Sequence, residues 1–228
     1  MNSLSYVLTI DAPPVCKKEI IRYTGEKNPS NEFLKLIDDC LNESLPLLTY
    51  KTCYCVTPIE IRSDNINFEG FSVISKDLAK NLKDSTRGII FASTIGTGID
   101  RLINKYNRIS PVKALILQGI GAERVEALCD AFCCTLEKEK SLNFLPRFSP
   151  GYGDLSLNMQ KDIFRILDCS NKIGLTLNES LIMSPSKSVT AIMGVTNKNC
   201  QNIKMKKCSN CNKIDCQFRS SLWILENF

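Results

Sequence analysis

Apolar and polar residues alternate along this chain with two different periods, and the places where the period changes mark out its elements. Leu4 to Ile10 reads as a short strand, and Pro13-Pro14 opens a helical run through Val15, Ile20, Ile21 and Tyr23 that Gly25 ends. Ser30 precedes Phe33, Leu34, Leu36, Ile37 and Leu41, the spacing of an N-capped helix with one apolar face. Tyr50 to Ile61 is rich in aromatic and β-branched residues and Ile66 to Ile74 alternates loosely, which predicts two strands about a Ser63-Asp64-Asn65 turn. Ser75 is placed to cap a short helix ending near Asp84.

Arg87 to Thr94 reads as a buried strand running through Gly96-Thr97-Gly98 into a helix with Ile99, Leu102 and Ile103 inward. Strand, Gly-x-Gly and helix together invite a phosphate-binding reading, because glycines let backbone amides approach an anion at a helix N-terminus. The third glycine of that pattern is Arg101, so a tight turn entering a helix is the expectation. From Ser110-Pro111 a long helical region carries Val112, Leu115, Ile116, Val125, Leu128, Phe132 and Leu136. Gly119 and Gly121 mark a break or a close-packing point within it. Ser156 begins a helix through Met159, Ile163, Phe164, Ile166 and Leu167, and a β-rich run lies from Ser188 to Val195. The sum is an α+β fold, with a mainly antiparallel sheet and helices packed against it.

At 228 residues, 43% apolar and 23% charged, the chain can build one substantial core or one domain with an appendage. No leader pattern opens it and no apolar run approaches the roughly 20 residues that span a bilayer, so a soluble cytoplasmic protein with no membrane partner is expected. The formal net charge is +5, and residues 198–219 hold six Lys and Arg against Asp215, which is the whole excess. Nucleic acid is not an expected partner, since the body of the chain is electrically balanced. We therefore divide the chain into a domain over residues 1–197 and a basic cysteine-rich tail over residues 198–228. Histidine is absent, which excludes histidine-based catalytic arrangements and histidine metal ligands.

Twelve cysteines fit a reducing compartment in which most are small buried hydrophobes. Cys129 and Cys133 are four apart on a predicted helix, and Cys53 and Cys55 share one face of a predicted strand, the positions of core residues. The tail differs: Cys200-x7-Cys208-x2-Cys211-x4-Cys216 is a spacing suited to a tetrathiolate zinc site or an iron–sulfur cluster. Four thiolates satisfy either metal centre, and the sequence leaves both open.

The densest chemistry lies in Arg147-Phe148-Ser149-Pro150-Gly151-Tyr152, followed after a helix by Gly174-Leu175-Thr176-Leu177-Asn178-Glu179-Ser180 and then Ser188-Val189-Thr190. An arginine ahead of a proline-stiffened Gly-Tyr turn sets a bidentate cation and an aromatic face beside bare backbone. Over about residues 140 to 196 this constellation resembles the S-adenosylmethionine-binding activation domain of cobalamin-dependent methionine synthase, here as a stand-alone chain.

The resemblance implies a set of roles. Arg147 would pair with the methionyl carboxylate, backbone at Ser149 and Gly151 would meet the adenine or amino group, and the Tyr152 ring would face the sulfonium. An acidic residue would come from the preceding helix, where Glu126 and Asp130 are one turn apart; Glu126 is the preferred candidate. Glu179 would partner the ligand's ammonium group or Arg147, and the strand from Ser188 would close the site. Met193-Gly194 stands where the long synthases carry an aromatic residue, a departure from the family.

The implied function is to support reductive methylation of cob(II)alamin on a separate cobalamin-binding methionine synthase subunit, with electrons from a flavodoxin-like or other donor. Two features fit a separate carrier: the chain lacks the Asp-x-His-x-x-Gly signature that presents histidine to cobalt, and its length leaves no room for the synthase's barrels, each about 250 residues or more. The alternative is a metal-thiolate module, iron–sulfur or zinc, that delivers electrons to a corrinoid methyltransferase or senses its state.

Overall fold

The computed structural model describes residues 4–140 and 142–196. The cysteine-rich tail, with Cys200, Cys208, Cys211 and Cys216, and the boundary drawn before it lie outside the described residues.

The elements run β1 Ser5–Thr9, α1 Lys17–Thr24, α2 Asn31–Ser44, β2 Lys51–Arg62, β3 Asn65–Phe68, β4 Phe71–Ile74, α3 Lys76–Leu82, β5 Arg87–Thr94, α4 Gly98–Ile109 and α5 Pro111–Lys140. They continue with β6 Asn143–Phe144, α6 Met159–Leu167, α7 Cys169–Ile173, β7 Thr176–Leu177, β8 Met183–Ser184 and β9 Ser188–Thr196. Local chemistry sets the boundaries. Ser30 Oγ accepts from Phe33 N at 3.2 Å and Ser75 Oγ from Leu78 N at 3.0 Å, each satisfying a first-turn amide, and Gly25 ends α1 in the left-handed region.

Seven strands form one sheet in the order β4-β3-β2-β5-β9-β6, with β1 also paired to β2; every pairing is antiparallel. Strand β5 is buried from Gly88 to Thr94 because helices cover both faces. On one side Ile90, Ala92, Cys53, Cys55 and Ile192 meet Leu78 and Leu82 of α3, Ile163 and Leu167 of α6, and Cys169 of α7. On the other, Ile89, Phe91, Tyr54, Ala191 and Met193 meet Phe132, Cys133 and Leu136 of α5. A third cluster joins α1, α2, α4 and the first half of α5 through Ile20, Ile37, Leu41, Ile99, Ile103, Leu117 and Ile120.

One expectation changes. Residues 65–74 are a hairpin of two four-residue strands turning at Glu69-Gly70. Of the two readings left open for Gly119 and Gly121, a break or a close-packing point, the second is the one observed: helix α5 runs unbroken through both, and a Cβ on Gly119 would stand 3.1 Å from the Ile20 carbonyl oxygen of α1. The Gly96-Thr97-Gly98 turn packs tightly on the 47–49 segment as it enters α4, as the missing third glycine implied.

Midway along α5 sits a buried ion pair that the sequence did not reveal. Arg124 and Glu123 are 0% and 4% exposed; Arg124 also donates to the carbonyls of Pro13 at 2.6 Å and Pro14 at 2.7 Å, and Glu123 accepts from Cys16 N at 3.0 Å. With its hydrogen bonds satisfied, this pair clamps the approach to α1 onto α5, fixing the two helices that flank the cleft described next. Among the described residues no helix is long and apolar enough to cross a membrane.

Candidate functional site

After β6 the chain continues beside β9. Leu145 N donates to Gly194 O, and Phe148 and Ile192 exchange backbone hydrogen bonds at 2.9 Å. That register sends Phe148 into the α3–α6 core and its neighbour Arg147 to the α5 face. There Arg147, with its side chain 11% exposed, donates to Asp130 Oδ1 at 2.6 Å and to Glu126 Oε2 at 2.9 Å. Desolvation works against the buried charge. The neighbouring carboxylates of Asp130 and Glu126 outweigh that cost and hold the guanidinium ionised. Burial pushes the Cys129 thiol up to about 12, so it is a packed neighbour and not a nucleophile.

Beyond Phe148 the backbone closes a tight loop. Tyr152 N donates to Ser149 O, Gly151 N to Leu155 O, and Gly151 takes a φ of 90° that a side chain would strain. Asp154 anchors its far end to the start of α3. Its carboxylate accepts from Ser75 Oγ at 2.5 Å, Lys76 N at 2.8 Å and Asp77 N at 3.2 Å, and the Ser75 hydroxyl, with those amides, holds the carboxyl below the usual aspartate value. Pinned at both ends, the loop holds Tyr152 70% exposed at its tip.

Tyr152 borders a cleft of about 420 Å³. One wall is helical: Ala122, Val125 and Glu126 of α5, with Arg22 and Tyr23 of α1. The other is the approach to β9, Ser186 to Ser188. Arg22 pairs with Glu19 at 2.7 Å and lies 4.2 Å from the Tyr23 ring centroid. Burial, and after it the charge of Glu126, raise the Tyr23 hydroxyl, so it is neutral at physiological pH. Ser186 is tied down through N at 2.8 Å and Oγ at 2.5 Å to Asp100 of α4.

The structure thus brings Glu126 and Tyr152 to one cleft and puts Arg147 behind Glu126. Ser149 and Gly151 shape the loop and do not line the cleft. Glu179 is exposed at the turn between β7 and β8 and does not line the cleft; of the two partners left open for it, the ligand's ammonium group and Arg147, the second is not met, because Arg147 turns to α5. Strand β9 closes the site only at Ser188, since the rest of it is an interior strand between β5 and β6. Met193 is 1% exposed against Cys133 and gives the cleft no side chain. Among the described residues no group of three or more His, Cys, Asp or Glu is placed to hold a metal.

Asp154 and Lys187 escaped the sequence reading. The Ser75 partner of Asp154 lies 79 residues away, beyond any local pattern, and Lys187 carries no motif at all.

Comparison with known proteins follows the same lines. No curated protein matches the chain. The family described as vitamin B12 dependent methionine synthase, activation domain, matches residues 145–219. Among solved structures, the crystal structure of the MetH reactivation domain bound to AdoHcy is similar at a TM-score of 0.63 and 13% sequence identity, covering 85% of this chain and 78% of that one. The resemblance drawn from the sequence therefore holds in a matched segment and in the fold: this chain has the architecture of the methionine synthase reactivation domain and resembles its family where the Arg147-to-Tyr152 loop lies.

Proposed function

We propose that the chain binds S-adenosylmethionine, or its product S-adenosylhomocysteine, in the cleft between α1, α5 and the Tyr152 loop, and presents the methyl group to a cobalamin carried outside these residues. One observation carries this reading: Tyr152 of the family-matched segment and Glu126 of α5 line the same cleft, whose volume of about 420 Å³ suits a small ligand. A solved domain of the same fold holds AdoHcy.

The roles follow from the geometry. The Tyr152 ring offers its face to a sulfonium, an attraction of about 0.5–2 kcal/mol. Glu126 offers a carboxylate to the ligand's ammonium group. Arg147, already hydrogen-bonded to Glu126, keeps that carboxylate aimed, in place of the direct contact with the methionyl carboxylate that the motif suggested. Ser149 and Gly151 act through the shape of the loop. The chain supplies placement and exclusion of water, with no histidine to act as base. Cobalamin, held by its own subunit and reduced by an external donor such as a flavodoxin-like protein, supplies the methyl acceptor.

We place this activity in the cytoplasm, since six of the eight described cysteines are buried free thiols. The four tail cysteines are proposed, from their spacing alone, to hold zinc or an iron–sulfur cluster. The test is reconstitution: S-adenosylmethionine carrying a labelled methyl group, a cobalamin-binding methionine synthase component and a reductant, with and without this chain. Label should reach cobalamin only when all are present. Equal labelling without the chain contradicts the reading.

A further inference from the structure

Of the described cations at the cleft, only Lys187 is left uncommitted. Arg22 is hydrogen-bonded to Glu19 and stacked on Tyr23, and Arg147 lies behind Glu126 with both terminal nitrogens engaged. Lys187 lines the cleft, and its ammonium makes no hydrogen bond or ion pair among the described residues.

Its position is nevertheless built. The backbone carbonyl of Lys187 accepts from Ile95 N at 3.2 Å. Its neighbours are tied on both sides, Ser186 to Asp100 at 2.8 Å through its amide and Ser188 to Thr94 at 2.8 Å through its hydroxyl. The aliphatic stem lies along α5 at Gly121, where a built Cβ would come within 2.9 Å of Lys187 Cγ, so a side chain at 121 would displace the lysine. Partial burial draws the ammonium's pKa down while the carboxylate of Asp100 opposes that shift. A half-desolvated ammonium with no hydrogen-bonded anion gains from one that arrives with the ligand.

Resting on the proposed binding of an S-adenosyl amino acid, we propose that Lys187 is the partner of the ligand's carboxylate and so selects amino-acid-bearing ligands. Lys187 and Glu126 then present a cation and an anion to the two charges of a zwitterion, with the Tyr152 ring left for the sulfonium.

The probe is decarboxylated S-adenosylmethionine, which keeps sulfonium and ammonium and lacks only the carboxylate. The native protein should bind S-adenosylmethionine more tightly than this analogue by roughly 10- to 100-fold, the range for a hydrogen bond to a charged group. Lys187→Met, which keeps the stem on Gly121, should bind the two ligands equally, and Lys187→Arg should restore the preference. Equal binding of both ligands by the native protein overturns the assignment without any variant. So does a preference that survives in Lys187→Met, or a variant that loses both ligands in equal proportion, since that describes a wall of the cleft and not a carboxylate contact. Failure of the native protein to bind either ligand strikes the underlying functional reading instead.

Discussion

Removing the Arg147 guanidinium should weaken ligand binding through Glu126, and a double-mutant cycle can show this. Arg147→Met keeps the side chain's bulk against α5 and deletes hydrogen bonds of 2.6 Å to Asp130 and 2.9 Å to Glu126. In a buried site each would contribute about 1.5–3 kcal/mol. Here the acids are 72% and 45% exposed, so solvent screening lowers the expected loss of stability to about 1–2 kcal/mol in all. At about 2–4 °C per kcal/mol for a chain of this size, the melting temperature should fall by roughly 2–8 °C. Affinity for S-adenosylmethionine should fall by about 1–2 kcal/mol, roughly 5- to 30-fold, because Glu126 is no longer aimed. Glu126→Gln removes the charge itself and should cost a similar amount. The assay is calorimetric titration of both single variants and the double variant. If Arg147 acts through Glu126, the double variant loses no more than the worse single one. Additive losses would refute the reasoning and return Arg147 to a direct ligand contact.

Other outcomes follow from the same geometry. Tyr152→Ala should stay within about 0.5 kcal/mol of native stability in thermal melting, since the side chain is 70% exposed, yet weaken S-adenosylmethionine by about 0.5–2 kcal/mol in the same titration. Arg124→Met strands a buried Glu123 and should cost about 3–5 kcal/mol by denaturant unfolding, with Glu123→Gln in the same chain recovering part of the loss. Asp154→Ala should lower the melting temperature at neutral pH. Because the folded carboxyl titrates below its unfolded value, its contribution is present above the ordinary aspartate pKa and lost as pH falls through the folded one, so the melting curves of the native protein and the Asp154→Ala variant should converge only in acid. Anaerobically purified protein should carry metal that Cys211→Ser removes while leaving S-adenosylmethionine binding intact, by elemental analysis and titration; four freely titratable tail thiols would exclude it.

What the sequence made legible was whatever has a local signature. Ser30 and Ser75 announced their helices by capping, β5 by a continuous apolar run, and the Gly151-Tyr152 turn by its proline and glycine. What stayed hidden depends on partners far along the chain. Glu123-Arg124 reads as surface charge on a helix until Pro13 and Pro14 fold over it. Asp154 looks like a loop residue until α3 arrives beneath it. Gly119 and Gly121 left a break and a close-packing point both open, because helix propensity disfavours glycine, and only the partners, α1 and the Lys187 stem, decide for close packing. The Arg147 motif was visible, but its partners were not: from sequence alone it faced a ligand or Glu179, and only the β9 register turns it toward α5.

Calorimetric titration of S-adenosylhomocysteine into the native protein and into Ala122→Trp, whose indole would fill the cleft beside Glu126, tests the central claim most directly. The account predicts a single class of site in the native protein and none in the folded variant. Absence of binding to the native protein, or equal binding to both, would contradict it.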